Sequence, residues 1–320
     1  MNIDEVIDIY SWKKIPGIDA SFDYPNIHTL PLNNFVYIPL EQIDHFFKLC
    51  KTAPNRKFIV VSANSDFGLY LQSQAPVNAD LYKRVNFIPW KEVIDSNDYL
   101  QIKLGPACDK ERCNIKHCYS VKTYAHTVST FDDVPPNVLH WFSTNVNICH
   151  PRITCIPMGI GDRKDYELMN QVKQEGIDRQ HLLYVNFTNY TVQRLDLKEY
   201  YKRQPWASVS STTELSKIDY YRELYRHFYV LCPAGNGLDC YRMWEALYCD
   251  ALPIVDMFDW SVHLSDYFPI RGDLYRIAPE LLINLIDKRQ KFIDLIHQNG
   301  KLTLSYWYKK IFNELQHHNL

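Results

Sequence analysis

From Tyr220 to Val255 the chain reads in one order: helix, short apolar strand, glycine turn, helix, short apolar strand. Phe228 to Cys232 is rich in apolar and aromatic residues, and Ala251 to Val255 is its counterpart. Between them, Gly235 and Gly237 stand one residue apart in a chain with only 10 Gly but 23 Tyr and 15 Phe. A strand that turns through glycine into a helix and returns as a strand belongs to the α/β class with mostly parallel sheets.

The same alternation runs through the rest of the chain. Apolar runs that read as buried strands are Phe35 to Leu40, Phe58 to Ala63, Val85 to Pro89, Val138 to Phe142, Arg152 to Pro157 and His181 to Phe187. Helical spacing predicts helices over Glu41 to Cys50, Thr213 to His227, Pro279 to His297 and Thr303 to Leu315. In the first, Ile43, Phe46, Phe47 and Cys50 share a face. The 320 residues suit two domains at roughly 150 each. The polar, glycine-containing stretch Gly159 to Lys164 is the expected boundary, giving an N-terminal unit 1–160 and a C-terminal unit 161–300. The final helix, within 301–320, could pack on either.

Charge and cysteine usage narrow the class. Lys+Arg is 35 against Asp+Glu 37, so no bulk field draws the chain to nucleic acid. No stretch reaches the ~20 apolar residues of a membrane span, which leaves only peripheral membrane association open. The first ten residues carry Asp4, Glu5 and Asp8 and no basic cluster, unlike a secretory leader. Nine scattered Cys do not form a disulfide framework, so a reduced, cytoplasmic protein is expected. Asn186-Phe187-Thr188 and Asn189-Tyr190-Thr191 match the glycosylation acceptor pattern and read as chance in that setting.

The glycine turn carries chemistry. Gly235 and Gly237 let a ligand approach the main chain. The helix that starts near Asp239 or Cys240 offers free N–H groups and a dipole to an anion such as a diphosphate. Arg242 in its first turn can add a planar, bidentate phosphate contact. Glu245, three residues on and on the same face, can accept from two vicinal hydroxyls, as on a ribose. Asp239 reads equally as an N-cap. Two other readings stay open. Gly235-x-Gly237-x-x-Cys240 with Asp256 or Asp259 partly fits a dinucleotide fingerprint, and the loop could be a purely structural turn.

The segment Phe228-Tyr-Val-Leu-Cys-Pro-Ala-Gly-Asn-Gly-Leu-Asp-Cys-Tyr-Arg-Met-Trp-Glu-Ala-Leu-Tyr-Cys-Asp-Ala-Leu-Pro-Ile-Val255 resembles the donor-binding core of exostosin-like glycosyltransferases. That pattern runs strand, Cys-Pro-x-Gly, a small polar loop, Arg-x-x-Glu-Ala and a strand ending in Pro-Ile/Val. The clear match spans residues 228–255 only. Weaker similarity extends to His140-Trp-Phe-Ser-Thr-Asn145, His150-Pro151, Ile156-Pro-Met-Gly-Ile160 and Leu302-Thr-Leu-Ser-Tyr-Trp307. The resemblance implies the GT-B fold, two Rossmann-like α/β domains with a cleft between them. It implies inverting sugar transfer from a nucleotide-sugar, with a UDP-sugar as the expected donor, a carbohydrate or other hydroxyl acceptor, and no bound metal or resident cofactor. The implied nucleotide-binding set is Pro233, Gly235, Asn236, Gly237, Asp239, Tyr241, Arg242 and Glu245, with Arg242 on the diphosphate and Glu245 on the ribose. The family often has Arg between Pro and Gly, where this chain has Ala234. Another cation must then act, and Arg194, after the strand His181 to Phe187, is the candidate. A non-catalytic nucleotide-sugar or carbohydrate binding protein on the same fold is the alternative.

Transfer also needs a general base facing the donor. Asp66, just after the strand Phe58 to Val61, and His126 are the candidates, with His140 a third that also reads as a core histidine. Asn145 and the Gly159-Ile160-Gly161 hinge could line the cleft. A separate cluster, Cys108-x4-Cys113-x4-Cys118 with His117, invites a zinc reading, but its spacing is wider than that of common fingers. Reduced thiols are the plainer reading.

Overall fold

In the computed structural model the described residues are 1–21, 29–63, 68–71, 102–103, 128–131, 134–146, 150–188, 192–211, 215–235, 237–256 and 263–320. The strands are β1 (Phe35–Tyr37), β2 (Phe58–Ser62), β3 (Gly68–Leu71), β4 (Ile102–Lys103), β5 (Val128–Phe131), β6 (Val138–Ser143), β7 (Ile153–Cys155), β8 (His181–Val185), β9 (Ala207–Val209), β10 (His227–Cys232), β11 (Leu252–Asp256) and β12 (Ile270–Gly272). The helices are α1 (Ile43–Thr52), α2 (Arg163–Lys173), α3 (Val192–Tyr201), α4 (Lys217–Arg226), α5 (Tyr241–Tyr248), α6 (Pro279–Asn284), α7 (Ile286–Gln298) and α8 (Leu304–His317).

The protein is α/β with two parallel sheets, ordered β1-β2-β6-β7 and β4-β12-β11-β10-β8-β9, plus a parallel pair β3-β5. Parallel pairing requires crossovers, and crossover helices cover the sheet faces. β1, β2 and β11 are accordingly buried at every position, which is why their sequences are continuous apolar runs rather than alternating ones. The helical stripes read from the sequence turn inward: Ile43, Phe46, Phe47 and Cys50 of α1, and Tyr221, Leu224 and Tyr225 of α4, are buried.

Two departures have local causes, and a third is a long-range pairing. The expected helix over Pro279 to His297 is two helices, because Leu285 sits at φ −104°, ψ 0° and breaks the ladder between them. The helix expected from Thr213 begins at Lys217, where the Ser216 hydroxyl accepts from the Asp219 N–H and caps it. β4 lies far N-terminal of the expected boundary, yet it pairs with β12 at the edge of the second sheet. The strand expected at Val85 to Pro89 lies outside the described residues.

The second sheet reverses direction at its centre. From β8 the chain steps outward to β9, returns to β10 on the other side of β8, and continues outward through β11 and β12. The crevice at the carboxyl ends of β8 and β10 is therefore a topological switch point, where ligands of open α/β sheets bind.

The stretch between β7 and α2 is held by the start of the chain. The Ile160 N–H donates to the Ile7 carbonyl (2.9 Å), and the Trp12 indole donates to the Pro157 carbonyl (3.0 Å). Gly159 has φ +79°, and a Cβ there would lie 2.3 Å from the Ile7 oxygen, so only glycine fits. α8 also lies against the start of the chain: the Tyr308 hydroxyl donates to the Ser11 carbonyl (3.2 Å), and Trp307 meets Trp12 edge-on at 6.3 Å.

Candidate functional site

A cavity of about 370 Å³ opens at the switch point. Arg194, Gly235, Gly237, Asp239, Tyr241, Arg242 and Glu245, all expected from the sequence, line it together. They arrive from two places. The segment after β10 brings the glycines, Asp239 and the first turns of α5, and α3 brings Arg194. Cys240 lines it at the start of α5, and Met158, Asn186, Thr188, Leu215, Ser216, Lys217 and Tyr220 complete the wall. These were not singled out as ligand residues. The available signal was positional: Asn186 and Thr188 follow the carboxyl end of β8, and Ser216 and Lys217 open α4.

Arg194 is buried and braces the loop. Its Nε donates to the Ala234 carbonyl (2.9 Å), and its Nη2 donates to the Pro233 carbonyl (3.1 Å). Pro233 thus contributes a backbone acceptor behind the cavity wall. The guanidinium stands beside the position where the chain has Ala234, so a cation reaches that place from α3. Gly235 makes room for it, since a Cβ there would lie 2.8 Å from Nη2. Gly235→Ala is expected to displace the guanidinium and weaken phosphate binding several-fold, with the unfolding temperature nearly unchanged. Titration with inorganic pyrophosphate beside a melting curve checks this.

Phe187 is the hub of the positive charge. The Arg194 and Arg242 guanidinium carbons each lie 5.7 Å from its ring centre, and the Lys198 Nζ lies 5.5 Å from it. Arg194 and Lys198 are one turn apart on α3, which places them on one face. Three cations around one ring repel one another, and an anion in the adjoining cavity relieves that repulsion.

Arg242 and Glu245 share a face of α5. Burial disfavours the Arg242 charge, but Tyr220, the nearby cysteines and Glu245 outweigh it and hold the guanidinium above its ordinary value. Its Nε is buried without a hydrogen-bond partner. Burial pushes the Glu245 carboxyl up, against the Tyr220 hydroxyl and Arg242. The Tyr220 hydroxyl donates to Glu245 Oε2 at 2.8 Å, which leaves Oε1 for a ligand hydroxyl.

Asp239 does not cap α5. The N-cap is Cys240, and Asp239 is turned toward Met158 in the crossover stretch between β7 and α2, with both oxygens engaged. Oδ2 accepts from the Met158 N–H (2.8 Å) and Oδ1 from the Trp244 indole (2.6 Å), while the Asp239 N–H donates to Asn145 Oδ1 (2.7 Å). Asn145 is thus placed behind the loop, at φ +55°. Asp239 touches the cavity as a strut rather than as a ligand group. Tyr241 packs its ring over Gly161, 3.6 Å from a Cβ built there.

The competing dinucleotide reading loses its acid at Asp256, which is buried and accepts from the Ala234 N–H at 2.9 Å. Asp259 lies outside the described residues. The Asn186 glycosylation match is equally inconsistent with its place, since that side chain is fully buried. His140 bonds Thr154 Oγ1 through Nε2 (2.8 Å) and faces Glu314 through Nδ1 (3.7 Å), between β7 and α8. Burial pushes its pKa down. It is a packed histidine at the sheet–helix boundary.

Asp66, His126, Asn236 and the cluster Cys108, Cys113, His117 and Cys118 lie outside the described residues. Among the described residues no three His, Cys, Asp or Glu side chains come together as metal ligands, and Cys50, Cys155, Cys232, Cys240 and Cys249 are free thiols. No helix among them is long and apolar enough to cross a membrane. No protein-family model matches the chain, and no curated protein matches it.

Proposed function

We propose that the cavity binds the nucleoside diphosphate part of a nucleotide-sugar, with a UDP-sugar as donor, and that the protein is a glycosyltransferase with a GT-B arrangement of its two sheets. The observation that carries this reading is the convergence of Arg194, Arg242 and Glu245 on one cavity at the switch point beside a glycine loop. Each part of the ligand has a partner of matching chemistry. The diphosphate meets Arg194, Arg242 and the N-terminal N–H groups of α5. A ribose hydroxyl meets Glu245 Oε1.

In the reaction the acceptor oxygen attacks the anomeric carbon, and the carbon–oxygen bond to the β-phosphate breaks. The diphosphate leaves with the electron pair, and the acceptor proton goes to a base. Arg194 and Arg242 stabilise the departing charge without a divalent cation, because they are fixed before the charge develops. The base stays with the candidates Asp66 and His126. The acceptor is a carbohydrate or another hydroxyl compound, and the reading includes no nucleic acid partner.

Thermal unfolding against a nucleotide panel in EDTA tests the donor site. UDP at ~100 times its dissociation constant adds about 2.7 kcal/mol, a rise of roughly 5 °C for a chain of this size. Stabilisation by NAD alone would favour the dinucleotide reading, and silence from every nucleotide would leave the loop a structural turn. Release of UDP from a UDP-sugar in EDTA then separates a transferase from a binding protein.

A further inference from the structure

Asn186 is fully buried, lines the cavity, and belongs to a closed triangle of hydrogen bonds. Its Nδ2 donates to the Tyr184 hydroxyl at 2.9 Å and to the Ser210 hydroxyl at 2.8 Å. Those two hydroxyls are themselves hydrogen-bonded at 2.8 Å.

The triangle fixes which way the amide points. With Nδ2 toward the hydroxyls, the amide supplies two protons and one hydroxyl supplies the third, so all three contacts carry a proton. With the amide reversed, both hydroxyl protons would be drawn to Oδ1, and the hydroxyl pair would face each other with none between them. Only the first arrangement satisfies the geometry. It turns Oδ1 away from the hydroxyls, and Oδ1 is buried with no hydrogen-bond partner. A buried acceptor left in that state costs its desolvation until something donates to it. Arg242 Nε is a second buried orphan on the same cavity. One orphan is an acceptor and the other a cationic donor, so the cavity wants a ligand with an N–H or O–H at one point and an anion at another.

We propose that Asn186 is a specificity-determining residue of this cavity, accepting at Oδ1 a hydrogen bond from an N–H or O–H of the bound nucleoside. Tyr184 and Ser210 are positioning residues that hold the amide as an acceptor. The inference rests on the nucleotide reading above and adds to it a rule of selection. A ligand that presents a lone pair to Oδ1, or nothing, is rejected. Two parts of a uridine nucleotide carry the required chemistry: the N3–H of uracil, which is a bare lone pair in cytosine, and the ribose 2′-hydroxyl, which 2′-deoxyribose lacks.

Calorimetric titration of UDP, CDP and 2′-deoxy-UDP in EDTA, on the intact protein and on two variants, tests this. The unaltered protein is expected to bind UDP and to lose about 10- to 100-fold in affinity for one analogue. Loss with CDP that disappears in Asn186→Leu places the base at Oδ1, and loss with 2′-deoxy-UDP that disappears in Asn186→Leu places the 2′-hydroxyl there rather than on Glu245. Asn186→Leu leaves Tyr184 and Ser210 bonded to each other and is expected to bring UDP and that analogue within about threefold. Ser210→Ala, at a half-buried position just past the end of β9, unlocks the amide and is expected to shrink the penalty even if Asn186→Leu fails to fold. UDP binding with both analogues within twofold of it overturns the inference and leaves the nucleotide reading standing. A penalty unchanged in either folded variant also overturns it. Failure of all three ligands to bind overturns both.

Discussion

Replacing Arg242 by alanine is expected to weaken UDP binding about 100-fold, with the unfolding temperature of the free protein moving by a few degrees at most. The magnitude follows from what is removed. A cation inside a partly desolvated cavity, aimed at a phosphate, is worth roughly 3 kcal/mol when truncated. That corresponds to about two decades in dissociation constant. The free protein tolerates the loss because Glu245, left beside Tyr220 without its neighbouring charge, can take up a proton. Burial already pushes that carboxyl up, and removal of Arg242 pushes it further. Arg242→Lys is expected to recover only part of the affinity, since an ammonium offers a point charge where the guanidinium offers a planar pair of donors. Isothermal titration of UDP across 50 to 300 mM salt checks both variants. Equal affinity in the alanine variant would remove Arg242 from the phosphate site, and the glycine loop would lose its ligand.

The central unit of this site was legible because three signals coincide there. Apolar runs bracket it, glycines punctuate it, and Arg242 and Glu245 follow at helical spacing. The expected strands Phe228 to Cys232 and Ala251 to Val255 lie within one residue of β10 and β11. Arg194 was reachable by position, as a cation following a strand of the same sheet. Other parts leave weaker traces. β9 is half-buried along its whole length, so it lacks an apolar run. β12 is three residues with Arg271 at its centre, and β4 is two residues that find their partner from far along the chain. Leu285 breaks a helix whose spacing continues on both sides of it. Asn186 shows the limit most sharply. Its local sequence matches a glycosylation acceptor, while its role depends on Ser210, which only the β8–β9 pairing brings beside it. Asp239 is similar. One helix turn from Arg242, it reads as a cap or a ligand group, and only the crossover at Met158 reveals what it holds.

That crossover yields the second large effect, in the pH dependence of stability. Burial pushes the Asp239 carboxyl up to about 7, against the Met158 N–H and the Trp244 indole, which favour the charged form. The unfolded chain releases the same proton near pH 3.8. Between these values the native state holds a proton that the unfolded state does not. Stability therefore falls as pH rises through the window. The contribution is complete below about pH 4 and is gone above about pH 7. From pH 5 to pH 7 it amounts to about 2 kcal/mol. Asp239→Asn is neutral throughout. It lowers stability by a constant amount instead, since its NH2 faces one of the two N–H donors that the carboxyl accepts from. The difference in unfolding free energy between the native protein and Asp239→Asn is thus expected to shrink by about 2 kcal/mol over that range, with the native protein gaining most at pH 5. Urea unfolding of both proteins at pH 5, 6, 7 and 7.5 measures it. A difference that stays flat would mean that the carboxylate remains ionised, held by its N–H donors against burial. Asp239 would then be a fixed charge beneath the loop, opposing any phosphate that Arg194 and Arg242 attract. A sloping difference makes it a neutral strut at mildly acidic pH and a charged one above neutrality, so phosphate affinity should weaken over the same pH range in which the stability is lost.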